Sequence, residues 1–133
     1  MKIIIVNTFD NAFVEVTSKY GKIIGKWMNE NIPNNKEQYD VEIDYNKILH
    51  FEIMNEPKYD IRNDNGKNII CGFVIDESTD DNFVQYLDFG GDAEIKKNDI
   101  SSDSTIMIDI EKRLKDTFIK LEVDEIEFYP VFY

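Results

Sequence analysis

Apolar and polar residues alternate with a period of two through most of the chain. Tyr39, Val41, Ile43 and Tyr45 are separated by Asp40, Glu42 and Asp44. Side chains on a strand point alternately to opposite faces, so this spacing predicts a strand with one buried face. The same reading gives strands over Lys2–Phe9, Ala12–Thr17, Ile48–Met54, Ile69–Ile75, Asn82–Phe89, Thr105–Glu111, Phe118–Val123 and Ile126–Tyr133. Within them Leu49, Phe51 and Ile53 share a side, as do Phe83, Leu87 and Phe89, with Val84 and Tyr86 opposite. So do Ile106, Ile108 and Ile110, and Ile119, Leu121 and Val123. The expected core is Val41, Ile43, Phe51, Ile53, Phe73, Ile75, Ile106, Ile108, Leu121 and Val123.

Turn residues separate these runs. Asn63-Asp64-Asn65-Gly66 is the strongest turn signal, Asp10-Asn11 and Gly90-Gly91 are others, and Pro130 implies an edge or a strand end. One segment reads two ways. Tyr20, Ile23, Ile24, Trp27 and Met28 have helical spacing behind Ser18, a possible cap. Gly21 and Gly25 would each cost such a helix about 1 kcal/mol. A hairpin at Tyr20-Gly21, leading into a strand from Lys22 to Met28, is favoured. The pattern as a whole predicts one mostly β domain over residues 1–133, with at most one helix of any length. The expected form is an antiparallel barrel or sandwich, OB-like or a similar small barrel.

Composition adds limits. A chain of 133 residues buries about two thirds of its unfolded surface, enough for a core without staples. Asp and Glu number 27 against 15 Lys and Arg, a net charge of -12. That balance argues against nucleic acid, whose binding needs cations to displace counterions, and against anionic membranes. It favours a basic protein partner. Neither a signal peptide nor a transmembrane stretch is apparent, so the expectation is a cytoplasmic protein. Its Ile, Asn and Lys content suggests a bacterial source.

Candidate chemistry is sparse. Cys71 is the only cysteine and lies in an apolar run, so an inert thiol is expected. His50 is the only histidine, points opposite to Leu49 and Phe51, and reads as solvent-facing. One Cys and one His cannot make a usual zinc site, and Asn63–Gly66 fails the ligand spacing of a calcium loop. None of the glycines at 21, 25, 66, 72, 90 and 91 opens a phosphate loop. The expectation is no enzyme, no metal and no cofactor.

One feature stands above this background. Residues 68–95 hold no Lys or Arg but carry Asp76, Glu77, Asp80, Asp81, Asp88, Asp92 and Glu94, a local charge of -7. These seven are the candidate partner-binding residues. Strand pairing should gather 76–82 in one hairpin and leave 88–94 at its other end.

The order Cys71–Asp76, then Tyr86–Gly91, then Ile126–Pro130 resembles small bacterial β-barrel proteins. Size, acidity and lack of motifs together resemble the immunity proteins of polymorphic toxin and contact-dependent inhibition systems. That resemblance implies a non-catalytic inhibitor that binds a toxin domain, often a basic nuclease, and blocks its active site. The alternatives are an OB-like ligand-binding module and a small enzyme or carrier. The sequence does not give an oligomeric state.

Overall fold

A computed structural model describes residues 1–89 and 105–131. Eleven strands form among them: β1 (Lys2–Thr8), β2 (Phe13–Ser18), β3 (Gly21–Trp27), β4 (Gln38–Tyr45), β5 (Ile48–Met54), β6 (Asp60–Asp64), β7 (Lys67–Asp76), β8 (Gln85–Asp88), β9 (Thr105–Ile108), β10 (Phe118–Val123) and β11 (Ile126–Pro130). The only helical piece among the described residues is a 3-10 turn at Asp10–Ala12. The protein is mostly β, as the alternation predicts.

Five strands close a barrel in the order β1-β2-β3-β11-β4. β1, β2 and β3 follow one another by hairpins, and β4 returns to pair with β1. That is a Greek key, the architecture of OB-like barrels. β11 completes the ring between β3 and β4. Its pairing with β3 is parallel, with Glu127 opposite Lys26, so the barrel is not wholly antiparallel. The other strands form a second sheet, β5-β10-β7-β8-β9, with β6 also on β7. This sheet is inserted in the chain between the fourth and fifth barrel strands.

One bent ribbon joins the two units. β4 runs into β5 through Asn46-Lys47, and β10 runs into β11 through Asp124-Glu125. β4 pairs with β11 in the barrel, while β5 pairs with β10 in the second sheet. The ladder persists across the bend. Asn46 N–H donates to Glu125 O at 3.1 Å, and Asp124 N–H donates to Lys47 O at 3.0 Å. The Asn46 side chain fixes the corner by accepting the Lys47 and Glu125 amides, each at 2.8 Å. Local side-chain bonds of this kind favour turns over continued strand.

The ambiguous segment is a strand. Ser18 Oγ accepts the Tyr20 N–H at 3.1 Å inside the β2–β3 turn rather than capping a helix. Gly21 has φ +139°, and a Cβ there would strike the Ile61 carbonyl. Gly25 lies where β3 passes β11, and a Cβ would sit 2.8 Å from Ile126 O. The glycines that disfavour a helix are thus the ones that let backbones approach.

A single apolar cluster runs through both units, including Ile3, Val16, Trp27 and Val41 from the barrel and Ile70, Leu87, Ile106 and Leu121 from the second sheet. Of the expected core, Val41, Ile43, Ile106, Ile108, Leu121 and Val123 are buried. Phe51, Phe73 and Ile75 are half-buried, and Ile53 is 51% exposed. Two causes act. Among the described residues β5 pairs only with β10, so Phe51 and Ile53 overhang the core. Phe73 and Ile75 have the opposite parity to the buried Ile70 and Val74 of β7, so they lie on the outer face of the sheet, where Phe73 meets Phe118. Phe83, at 42% exposure, likewise departs from the buried Leu87 and Phe89, because strand pairing of β8 begins only at Gln85.

Two other boundaries shift. β6 was not expected, and it pairs with β7 through a two-residue turn at Asn65-Gly66, with φ of 52° and 83°. Those angles suit the tight hairpin that Asn-Gly encodes. β9 ends at Ile108 rather than Glu111, because residues 109–117 turn away. Gln85, fully buried, holds that segment. Its Nε2 donates to Ile110 O at 3.3 Å and to Lys112 O at 3.1 Å, and its Oε1 accepts the Leu114 N–H at 2.7 Å.

Candidate protein-binding face

The acidic hairpin forms where pairing of β7 with β8 ends. Asp76 is opposite Gln85, and the Glu77 amide donates to Val84 O at 2.9 Å. The Asp76 carboxylate accepts the Ser78 N–H at 2.7 Å, and Ser78 Oγ accepts the Val84 N–H at 3.1 Å. Glu77, Asp80 and Asp81 project into solvent from the loop, while Asp76 is half-buried at its base. The bonds from Ser78 hold the Asp76 carboxyl below the ordinary aspartate range, and the positive charges of Arg113 and Lys115 act in the same direction. The guanidinium of Arg113 lies over the Phe83 ring at 5.3 Å. The base-free window of the sequence therefore meets bases in space, contributed by the segment that Gln85 pins.

Asp88 stands apart from that loop, as the strand geometry requires. It is opposite Phe73 on β7 and Thr105 on β9, near Tyr20 of the β2–β3 turn. The Tyr20 hydroxyl donates to Phe89 O. Burial raises the Tyr20 phenol above its ordinary range, and the negative charge of Asp88 adds to this. Asp92 and Glu94 lie outside the described residues. The hairpin carboxylates and Asp88 do not make one cluster.

A second acidic feature appears only in three dimensions. At the seam between barrel and sheet lies a groove of about 380 Å³. Its apolar floor is Tyr86, Met107 and Tyr129, and Glu42 and Asp44 stand at its rim. Met107 is 59% exposed and Tyr129 38%. Strand register explains the grouping. Tyr86 is directly opposite Met107 on β8 and β9, Glu42 is opposite Tyr129, and Asp44 is opposite Glu127 on β4 and β11. A continuation of about 320 Å³ shares Asp44 and Met107 and ends at Phe83 and Val84, the closing side of the acidic hairpin. Groove and hairpin form one face.

Glu42, Asp44 and Asp109 bring carboxylates to the lining of this face. Asp44 and Glu127 are like charges directly opposite, an arrangement that disfavours folding locally. Partial burial raises the Tyr129 phenol, with Glu127 and then Asp44 contributing. The Tyr129 hydroxyl donates to Glu127 Oε1 at 3.3 Å. Burial also raises the Tyr45 phenol, whose oxygen accepts the Asp109 N–H at 3.0 Å, and Asp109 and Asp44 push it further. Sequence reasoning missed Glu42, Asp44, Tyr86, Met107 and Tyr129 as a group. The signal that was present is the outward parity of Glu42 and Asp44 on a strand whose other face is buried.

Cys71 is 1% exposed, and burial pushes its thiol up. It lies on the outer side of the second sheet, between Asp60 of β6 and Lys120 of β10. His50 is exposed, with its side chain opposite Glu122. No three His, Cys, Asp or Glu side chains converge on a metal position among the described residues. In comparison with known proteins, the chain matches no family model, no curated protein and no solved structure.

Proposed function

We propose that the protein is a non-catalytic, protein-binding inhibitor, and concretely an immunity protein that neutralises a bacterial toxin with a basic, nuclease-like surface. The observation that carries this reading is the groove. It combines exposed Tyr129 and Met107 with acidic rims at Glu42 and Asp44, and it continues to the acidic hairpin. Aromatic and methionine side chains ringed by polar groups are what protein interfaces use as anchors. The carboxylates would pair with the Lys and Arg that a nuclease directs at phosphate, and would steer the encounter.

The test is a pull-down from the source organism to identify a captured basic nuclease domain, then co-expression with that domain and association kinetics at two salt concentrations. Protection by the parent chain is expected. Glu42→Lys with Asp44→Lys should slow association at least tenfold and flatten its salt dependence. Asp80→Lys with Asp81→Lys should do so more weakly, because Arg113 and Lys115 already offset the hairpin. A nuclease fully active in excess of the chain would refute the reading.

A second reading rests on the barrel. A five-stranded Greek-key barrel also serves oligonucleotide and oligosaccharide binders. The net charge of -12 counts against the former. Micromolar oligonucleotide binding that weakens steeply with salt would replace the inhibitor reading.

A further inference from the structure

The groove at the seam has a direction. Its first part is lined by Glu42, Ile43 and Asp44 on one side and by Thr105 and Met107 on the other. Its continuation is lined by Asp44, Tyr45 and Asn46 and by Met107, Ile108 and Asp109. Residue numbers rise together on both walls, so the groove follows β4 and β9 along their length. From residue 42 to residue 46 an extended chain covers roughly 13 Å. The two walls differ in chemistry. β4 turns Glu42 and Asp44 outward, both exposed, because the alternate residues Val41 and Ile43 are buried. The other wall offers Tyr86 and the exposed Met107.

Other carboxylates of the second sheet have bases beside them. The ion pairs among the described residues join Asp60 to Lys58 and Arg62, Glu122 to Lys67, and Glu52 to Lys120. Glu42, Asp44 and Glu127 take part in none of these, although Lys26 is opposite Glu127 by register. Asp44 accepts the Tyr45 amide at 2.8 Å and stands directly opposite Glu127 across the β4–β11 ladder. Like charges so placed are unfavourable. A cation seated at Asp44 therefore relieves a repulsion that the chain carries alone.

On the reading that the groove is the partner-binding face, we infer that it takes an extended segment of the partner protein with the pattern arginine, apolar residue, arginine. Side chains of an extended segment alternate, so residues i and i+2 turn to one wall and i+1 to the other. Glu42 and Asp44 repeat at the same interval, roughly 7 Å. Two arginines at i and i+2 meet them in step, while the residue between them meets Met107 and Tyr86. Arginine suits the site better than lysine. Tyr129 is opposite Glu42 in the ladder, so a guanidinium bonded to Glu42 also comes within reach of an aromatic face.

The probe is the pentapeptide Gly-Arg-Leu-Arg-Gly, blocked at both ends, titrated into the full chain and read by amide chemical shifts of isotope-labelled protein. The control is Gly-Arg-Arg-Leu-Gly, identical in composition and charge, whose arginines point to opposite sides. So short a peptide is expected to bind with Kd on the order of a millimolar. The alternating peptide should bind about fivefold tighter than the control, with shifts centred on residues 42–46 and 105–109. Glu42→Gln with Asp44→Asn should abolish that preference without lowering the melting temperature, because both residues are exposed and the change removes the repulsion from Glu127. Asp80→Asn with Asp81→Asn, in the acidic hairpin, should leave the preference intact.

Equal affinity for the two peptides would overturn the inference in favour of unspecific charge attraction. A preference that survives Glu42→Gln with Asp44→Asn would overturn it as well, and so would the absence of binding at roughly 10 mM peptide. The peptides probe the groove without a nuclease. Preference for the alternating peptide beside a nuclease that stays fully active would sink the toxin-inhibitor reading alone. A neutralised nuclease beside equal peptide affinities would sink the arginine pattern alone.

Discussion

Replacing Gln85 with Leu should destabilise the protein severely, although the change puts an apolar residue at a core position. Gln85 is fully buried, and its amide satisfies three backbone groups of one irregular segment: the carbonyls of Ile110 and Lys112 and the amide of Leu114. Leucine leaves all three without a partner. Each buried unpaired group costs roughly 1–3 kcal/mol, and the added apolar burial returns about 2 kcal/mol. The net loss is about 1–7 kcal/mol, centred on about 4 kcal/mol, a large share of a domain's usual 5–15 kcal/mol. Urea titration by circular dichroism measures it, with a fall in Tm of roughly 10–20 °C. Gln85→Glu is a sharper probe. The carboxylate keeps the Leu114 bond but faces the Ile110 and Lys112 carbonyls without a donor. Burial and those carbonyls raise its folded pKa above the unfolded value of about 4.3. Its favourable contribution is therefore complete only below that value and is lost as pH rises through the folded pKa. The deficit relative to the parent should widen from pH 4 to pH 8. A Gln85→Leu variant within about 1 kcal/mol of the parent would show that the 109–117 segment does not depend on this side chain.

Three further outcomes are expected. Gly25→Ala should cost about 1–3 kcal/mol in urea titration, because the new Cβ meets Ile126 O at 2.8 Å and the Phe128 ring at 2.6 Å; parent-like stability would contradict the close passage of β3 and β11. Cys71 should react with an aromatic disulfide reagent only as fast as the protein opens, since its thiol is buried and pushed up; immediate labelling would place it at the surface. Tyr20 is raised by burial and by Asp88, so the stability tied to its neutral phenol is complete below about pH 10 and lost as pH rises through the folded value. Tyr20→Phe should remove that part of the alkaline loss, read as melting temperature against pH, and an identical profile would refute it.

Alternation made most of the fold legible, because one buried face leaves a period of two in the residues. It failed where burial and parity part. β6 has one apolar residue of inward parity, Ile61, amid Asp60, Arg62 and Asn63, too few for a pattern. Leu49–Ile53 alternates as well as any buried strand, yet being at an edge is a property of which strands pair, and no local pattern records it. Gln85 is the opposite case. Parity with Leu87 and Phe89 sends it inward while its chemistry suggests solvent, and that conflict marked a residue holding irregular backbone.

The site was legible only in its linear part. Asp76–Asp81 stood out as a run, but its neutralising partners, Arg113 and Lys115, are more than thirty residues away in the chain. The groove draws on β4, β8, β9 and β11, which the sequence separates and the bent ribbon reunites. That ribbon matters for recognition. Glu42 and Tyr129 belong to the barrel, whereas Tyr86 and Met107 belong to the inserted sheet. Their spacing is set by a continuous antiparallel ladder through Asn46 and Asp124 rather than by a free linker. A partner seated in the groove would therefore meet two walls already held in place, and would lose less entropy on binding than one that had to bring them together.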